Sequence, residues 1–272
     1  MADSEWESMM SYMSQQMKQT TVAVQAFMVD ISKRIDEMLK AAKIEAEKVA
    51  PYLSQANLWI PPSIPSLELL HRLKAAISVS EPTPEIITET FFKYFEEDQW
   101  NVLREIVGSW ETHPYFKNRM PILRDALEAH IEGKYTLTVP TLLTQVEGVA
   151  SSILKKTAGH TVDIMKNVVK NIDYGEFLQA ALKDILIDFI TSLAGYATIK
   201  PEYFTPEKFS ELLKAKGQLE SQVMNRHAIL HGVQINYASK ENSLRAFLLL
   251  DALFWIKREE WDEEFKWVIQ GI

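Results

Sequence analysis

The run Asn225-Arg226-His227-Ala228-Ile229-Leu230-His231-Gly232 holds the densest chemistry in the chain. Arginine stays cationic and presents a planar fork of donors that fits a phosphate, while histidine is the side chain best able to move a proton near neutral pH. Together they are the minimum set for phosphodiester transesterification. Histidine takes the proton from a ribose 2′-hydroxyl, and arginine stabilises the charge that builds on the phosphate. The spacing restricts the geometry. Residues five apart on an ideal helix lie about 140° round the axis, so Arg226 and His231 converge only if the last turn distorts or a second subunit completes the site. His227 and His231, four apart, could reach one point from a single helix face. A zinc metalloprotease helix needs a glutamate directly after its first histidine as base; Ala228 stands there and excludes that motif. A two-histidine metal site with a distant third ligand stays open, as does an ordinary surface pair.

The other histidines, at positions 71, 113, 130 and 160, are isolated from one another in sequence. Arg124 and His130 repeat the loose arginine–histidine pattern within Arg124-Asp125-Ala126-Leu127-Glu128-Ala129-His130, without a glycine directly after the histidine. They read as an exposed helix face. Glu147, on an otherwise apolar helical stretch, is either a buried partner for an arginine such as Arg226 or the polar edge of that helix.

The wording around the motif goes further than its spacing. Asn225 to Gly232, followed by Tyr237 and Glu241-Asn242-Ser243-Leu244, resembles the HEPN family, whose mark is an arginine, four to six residues and a histidine, with a polar residue commonly after the arginine. Here the spacer is four and His227 is the polar residue, where asparagine or aspartate is more usual. The run Tyr135 to Gly148 also looks like the segment that precedes the motif in bacterial members. The resemblance covers about residues 120–256. It implies a helical bundle acting as a metal-independent endoribonuclease with no cofactor. Two copies would dimerise so that their motifs face one cleft, in the manner of toxins or anti-phage effectors, with an antitoxin or regulatory protein as a further partner. Arg226 would bind and polarise the phosphate, and His231 would be the general acid–base, with His227 assisting. Asn225, Tyr237, Asn242 and Glu147 are candidates for supporting or substrate-binding contacts. The alternative implied by the same fold is a non-catalytic bundle that binds RNA, a nucleotide or a protein partner, since a fold does not itself carry an activity.

The elements that must position these residues are helical. Residues 4–49 read as one long amphipathic helix, or two end to end, with Val24, Phe27, Met28, Ile31, Ile35, Met38, Leu39 and Ala42 at three- and four-residue spacing and Met9, Met13 and Met17 extending the stripe. The proline-rich segment Pro51 to Pro65 should end that helix and serve as a linker. Thr83-Pro84-Glu85 and Thr205-Pro206-Glu207 have the chemistry of helix starts. Helices are expected over Leu67–Ile77, over Met120–Ile131, from near Pro140 through Ile153, and over Phe177–Leu193, the last apolar on most sides and so central. Ser239 should cap a helix from Lys240 to Ile256, and the tail with Trp261, Phe265 and Trp267 should add a terminal one. The expected division is an N-terminal helical region, 1–80, for dimerisation or sensing, and a bundle, 81–272.

Composition agrees with an all-α fold. Only 9 glycines and 11 prolines occur in 272 residues, and hydrophobic residues make up 47%, enough for a sizeable core. Cysteine is absent, which removes disulfides, thiolate metal sites and cysteine nucleophiles and fits a reducing compartment. The first residues carry acids where a secretory signal would carry bases, and the most apolar stretch, Leu182 to Ile199, is broken by Lys183, Asp184 and Asp188. A cytoplasmic protein with no membrane partner is expected. The net charge of −8 disfavours non-specific tracking of duplex DNA, although Lys155, Lys156, Lys166 and Lys170 form a local basic stretch that reads as a solvated face. No glycine-rich phosphate loop or serine-hydrolase elbow is present, so nucleotide hydrolysis and serine hydrolase chemistry are not expected.

Overall fold

No glycine or proline interrupts the first fifty residues, and they are rich in the residue types that lose least on entering a helix. In the computed structural model, which describes residues 2–61, 63, 67–78, 83–154, 205–215 and 224–255, they form one helix, α1 (Ala2–Gln55). The other α-helices among the described residues are α2 (Leu67–Ile77), α3 (Pro84–Ser109), α4 (Met120–Ile131), α5 (Tyr135–Leu154), α6 (Pro206–Ala215), α7 (Arg226–Leu230) and α8 (Lys240–Phe254). No strand occurs among the described residues, so the protein is all-α there. The expected helix Phe177–Leu193, the basic stretch at 155–170 and the tail after Trp255 lie outside the described residues.

The chain divides into two compact units, residues 1–44 and 45–272. The first is the part of α1 that ends at Ile44. Arg34 and Asp30, 2.9 Å apart, form an i,i+4 ion pair on its surface, of a kind that adds only about 0.3–0.5 kcal/mol.

In the second unit, α8 packs along α5, and both also pack on α4. Every residue from Asn242 to Leu253 is buried, so α8 is the central helix among the described residues. Its buried polar members are all engaged. Ser243 Oγ lies 2.7 Å from His130 Nδ1 on α4. Arg245 donates to the carbonyl oxygens of Ala56 and Asn57, each at 3.1 Å, and to Asn242 Oδ1 at 3.2 Å. Asp251 accepts from the Ser63 hydroxyl and, at 3.2 Å, from the Ser63 backbone N–H. Complete burial pushes the Asp251 carboxyl up to about 6.

Three sequence expectations need correction. α1 runs through Pro51 to Gln55, and the segment read as a linker is core: Leu58, Trp59 and Ile60 are fully buried and α8 straps their neighbours by the bonds just described. Burying this much apolar surface outweighs the local signal of the prolines. α5 starts at Tyr135, with Pro140 inside it. Proline there removes one intrahelical donor, the one that would serve the Thr136 carbonyl four residues back; the Tyr237 hydroxyl donates to that carbonyl instead, at 3.3 Å. Finally, Arg124 and His130 do not share an exposed face. Arg124 is exposed and pairs with Glu111, whereas His130 is completely buried among Trp100, Tyr135 and Phe247.

The aromatic cage of His130 includes a backbone irregularity. α3 is broken at Glu97–Trp100, where Asp98, Gln99 and Trp100 take positive φ. Such conformations are costly for non-glycine residues and persist only when packing over-determines them. Here the Trp100 ring is pressed edge-on against His130, centroids 4.3 Å apart.

Candidate functional site

The motif helix α7 has only five residues, too few to hold itself together in water, so its ends and underside must be fixed from outside. Asn225 is the N-cap: its side chain accepts from the Ala228 N–H at 2.9 Å. The Asn225 N–H donates in turn to the side chain of the buried Gln234 at 3.0 Å. At the other end, Gly232 N–H bonds to Ile229 O and Val233 N–H to Ala228 O, at 3.1 and 2.8 Å, with Gly232 at φ +70°. This is a Schellman turn, which requires a left-handed residue at the position glycine fills. Beneath, Ala228 and Val233 pack with Phe209 and Leu213 of α6, the helix opened by Thr205-Pro206-Glu207.

These constraints decide where the polar side chains go. Helical geometry stops at Leu230, and His231 sits at the C-cap with φ −94° and ψ 5°. Its ring lies against that of His227, centroids 4.2 Å apart. The Arg226 guanidinium reaches α5, where Nη2 pairs with the Glu147 carboxylate. Of the two readings open for Glu147, the structure takes the arginine partner, although the carboxylate remains 38% exposed. The Arg226 Nε has no hydrogen-bond partner among the described residues. Burial lowers the Arg226 pKa from its usual value. It lowers that of His227 too, assisted by the charges of His231 and Arg226. Its surroundings therefore disfavour the charged form of His227, which lies within the electrostatic reach of both other motif residues.

The remaining candidates have structural work. Asn225 is fully buried as the cap. Tyr237 is half-buried and spends its hydroxyl on α5. Asn242 is fully buried and donates to the Tyr237 carbonyl at 2.9 Å, so it holds the loop between α7 and α8. The structure thus groups Arg226, His227, His231 and Glu147 at the surface with Asn225 as the cap of their helix, whereas Tyr237 and Asn242 hold the loop at Thr136, the opposite end of α5 from Glu147. Sequence reasoning missed Gln234, whose only sequence signal is a polar residue set between Val233 and Ile235. It also missed Arg119, which donates to Gln145 of α5 at 2.9 Å and lies against Gly148, where a Cβ would meet its guanidinium at 2.6 Å. No group of three or more metal-binding side chains exists among the described residues, so the two histidines find no third ligand there. No helix among the described residues is long and apolar enough to cross a membrane.

Comparison of the chain with family models, with characterised proteins and with solved structures returns no match.

Proposed function

We propose that this chain is a HEPN-type endoribonuclease that cleaves RNA without a metal ion, by attack of a ribose 2′-hydroxyl on the adjoining phosphate. The observation that carries the reading is the way α7 ends. The Schellman turn at Gly232 stops the helix one residue before His231 and leaves that imidazole at the surface against the ring of His227, five residues on from a cationic Arg226. In this scheme His231 takes the 2′-hydroxyl proton and returns a proton to the leaving 5′-oxygen. Arg226 neutralises the non-bridging oxygens, and His227 orients His231 or shares its proton. A second copy would bring its own motif to the same cleft, and an antitoxin or regulatory protein would act by covering it.

The Glu147–Arg226 pair favours a second reading in which Arg226 is a clamp between α7 and α5 and the bundle binds a partner without cleaving it. RNA cleavage in EDTA by wild type and by His231→Ala, with analysis of the product ends, separates the two. Cleavage by wild type alone, leaving 2′,3′-cyclic phosphates, is the expected result. Equal behaviour of the two proteins across several RNA classes would move the assignment to the binding bundle.

A further inference from the structure

The first unit carries an apolar seam that is exposed among the described residues. Met17, Val24, Met28, Ile35 and Met38 are between 49% and 64% exposed, and Ile31 is partly so. With Thr21 as its polar member, the seam alternates steps of four and three residues over three heptads, from Met17 to Met38. A repeat of seven with two apolar positions keeps one stripe facing a partner helix as the two wind round each other. Phe27, 64% exposed, flanks the seam.

We propose that this segment of α1 pairs with the same segment of a second copy of the chain, as an antiparallel two-stranded coiled coil. Charge selects the partner and its direction. Residues 1–17 contain Asp3, Glu5 and Glu7 and no basic residue, whereas residues 18–44 contain Lys18, Lys33, Arg34, Lys40 and Lys43 against three acids. Antiparallel pairing centred on the seam lays the acidic residues 1–17 of each helix beside the segment of the other that begins at Met38 and carries Lys40 and Lys43; parallel pairing would stack like on like. The area is adequate. Seven apolar side chains at roughly 70 Å² each remove on the order of 500 Å² per helix, and the stems of the flanking lysines and arginines bring this towards the ~800 Å² per partner of stable interfaces.

The test is the mass of the full chain in solution, for wild type and for the double variant Met28→Lys/Ile35→Lys, with helicity and unfolding transition measured alongside. Both substituted side chains are exposed, so the second unit should unfold as before. The double variant is expected to have half the wild-type mass. A wild type of single-chain mass, or a variant that keeps the wild-type mass, overturns the proposal. Direction is read separately. Because the chain has no cysteine, Lys43→Cys carries a single spin label. At about 1.5 Å per residue the antiparallel pair separates the two labels by roughly 50 Å or more, and a separation below about 25 Å overturns it. A monomeric wild type that floats with anionic vesicles would overturn it in favour of a membrane surface.

Discussion

Two arginine–histidine runs lie in this chain, and their fates are opposite. In α4, Arg124 stays in solvent and pairs with Glu111, while His130 is driven into the core, hydrogen-bonded to Ser243 and ringed by aromatic side chains. In α7, the arginine is partly buried against Glu147 and the histidine is exposed. Both helices end in the same way. Gly133 and Gly232 each take positive φ in a Schellman turn, with Lys134 N–H bonding to Ala129 O as Val233 N–H does to Ala228 O. The difference lies in the position of the histidine relative to that turn. His231 is the cap itself, directly before its glycine, and so leaves the helix. His130 is two residues further inside, on the same face as Ala126, Leu127 and Leu123, and must follow them into the core. Motif spacing thus acquires meaning only from the point at which the helix ends.

The largest expected contrast is in cleavage. If α7 carries the reaction, Arg226→Lys loses the planar fork and should slow cleavage by about 10²-fold or more, while Arg124→Lys should leave the rate within about twofold. An equal effect of the two substitutions would erase the distinction between the runs. Stability should show the reverse order. His130→Ala removes a packed ring and leaves the Ser243 hydroxyl unpaired, at a cost on the order of 3 kcal/mol. His231→Ala, at an exposed cap, should fall within about 0.5 kcal/mol. Urea unfolding of the two variants measures both.

A smaller effect concerns pH. Burial pushes His130 and His113 down to about 4 from an ordinary value of 6.5. The unfolded chain therefore binds more protons between those values, and stability is lost as pH falls from 6.5 towards 4. Asp251, raised to about 6 from 3.8, works in the opposite sense, because the folded state takes its proton first and gains stability as pH falls. Two histidines outweigh one aspartate. The protein should be less stable at pH 5 than at pH 7 by on the order of 1–2 kcal/mol, and His130→Gln should flatten that dependence in unfolding measured at the two pH values. The smallest contrast tests the shared turn. Open space surrounds both glycines, so Gly133→Ala and Gly232→Ala should each cost about 1 kcal/mol through backbone strain alone. Only Gly232→Ala, by moving the cap at His231, should also lower cleavage.

Much of this arrangement was legible in residue order because it depends on local chemistry. Met120–Ile131 has the predicted bounds, Ser239 caps α8 by accepting from the Asn242 N–H at 3.1 Å, and Thr205 and Gly232 bracket the stretch that leads to and ends the motif. Each is set within four residues by a hydrogen bond or a steric limit that the side chain supplies itself. What only the tertiary structure decided were outcomes that pit one such signal against a distant partner. The prolines at 51 and 140 are absorbed into helices because a buried apolar segment and the Tyr237 hydroxyl compensate for them. Glu147 becomes the arginine's partner because α7 is held against α5. His130 and His231, near-equivalents in sequence, part because burial depends on which face of a helix meets the core, and that is a property of packed helices that no single one of them contains.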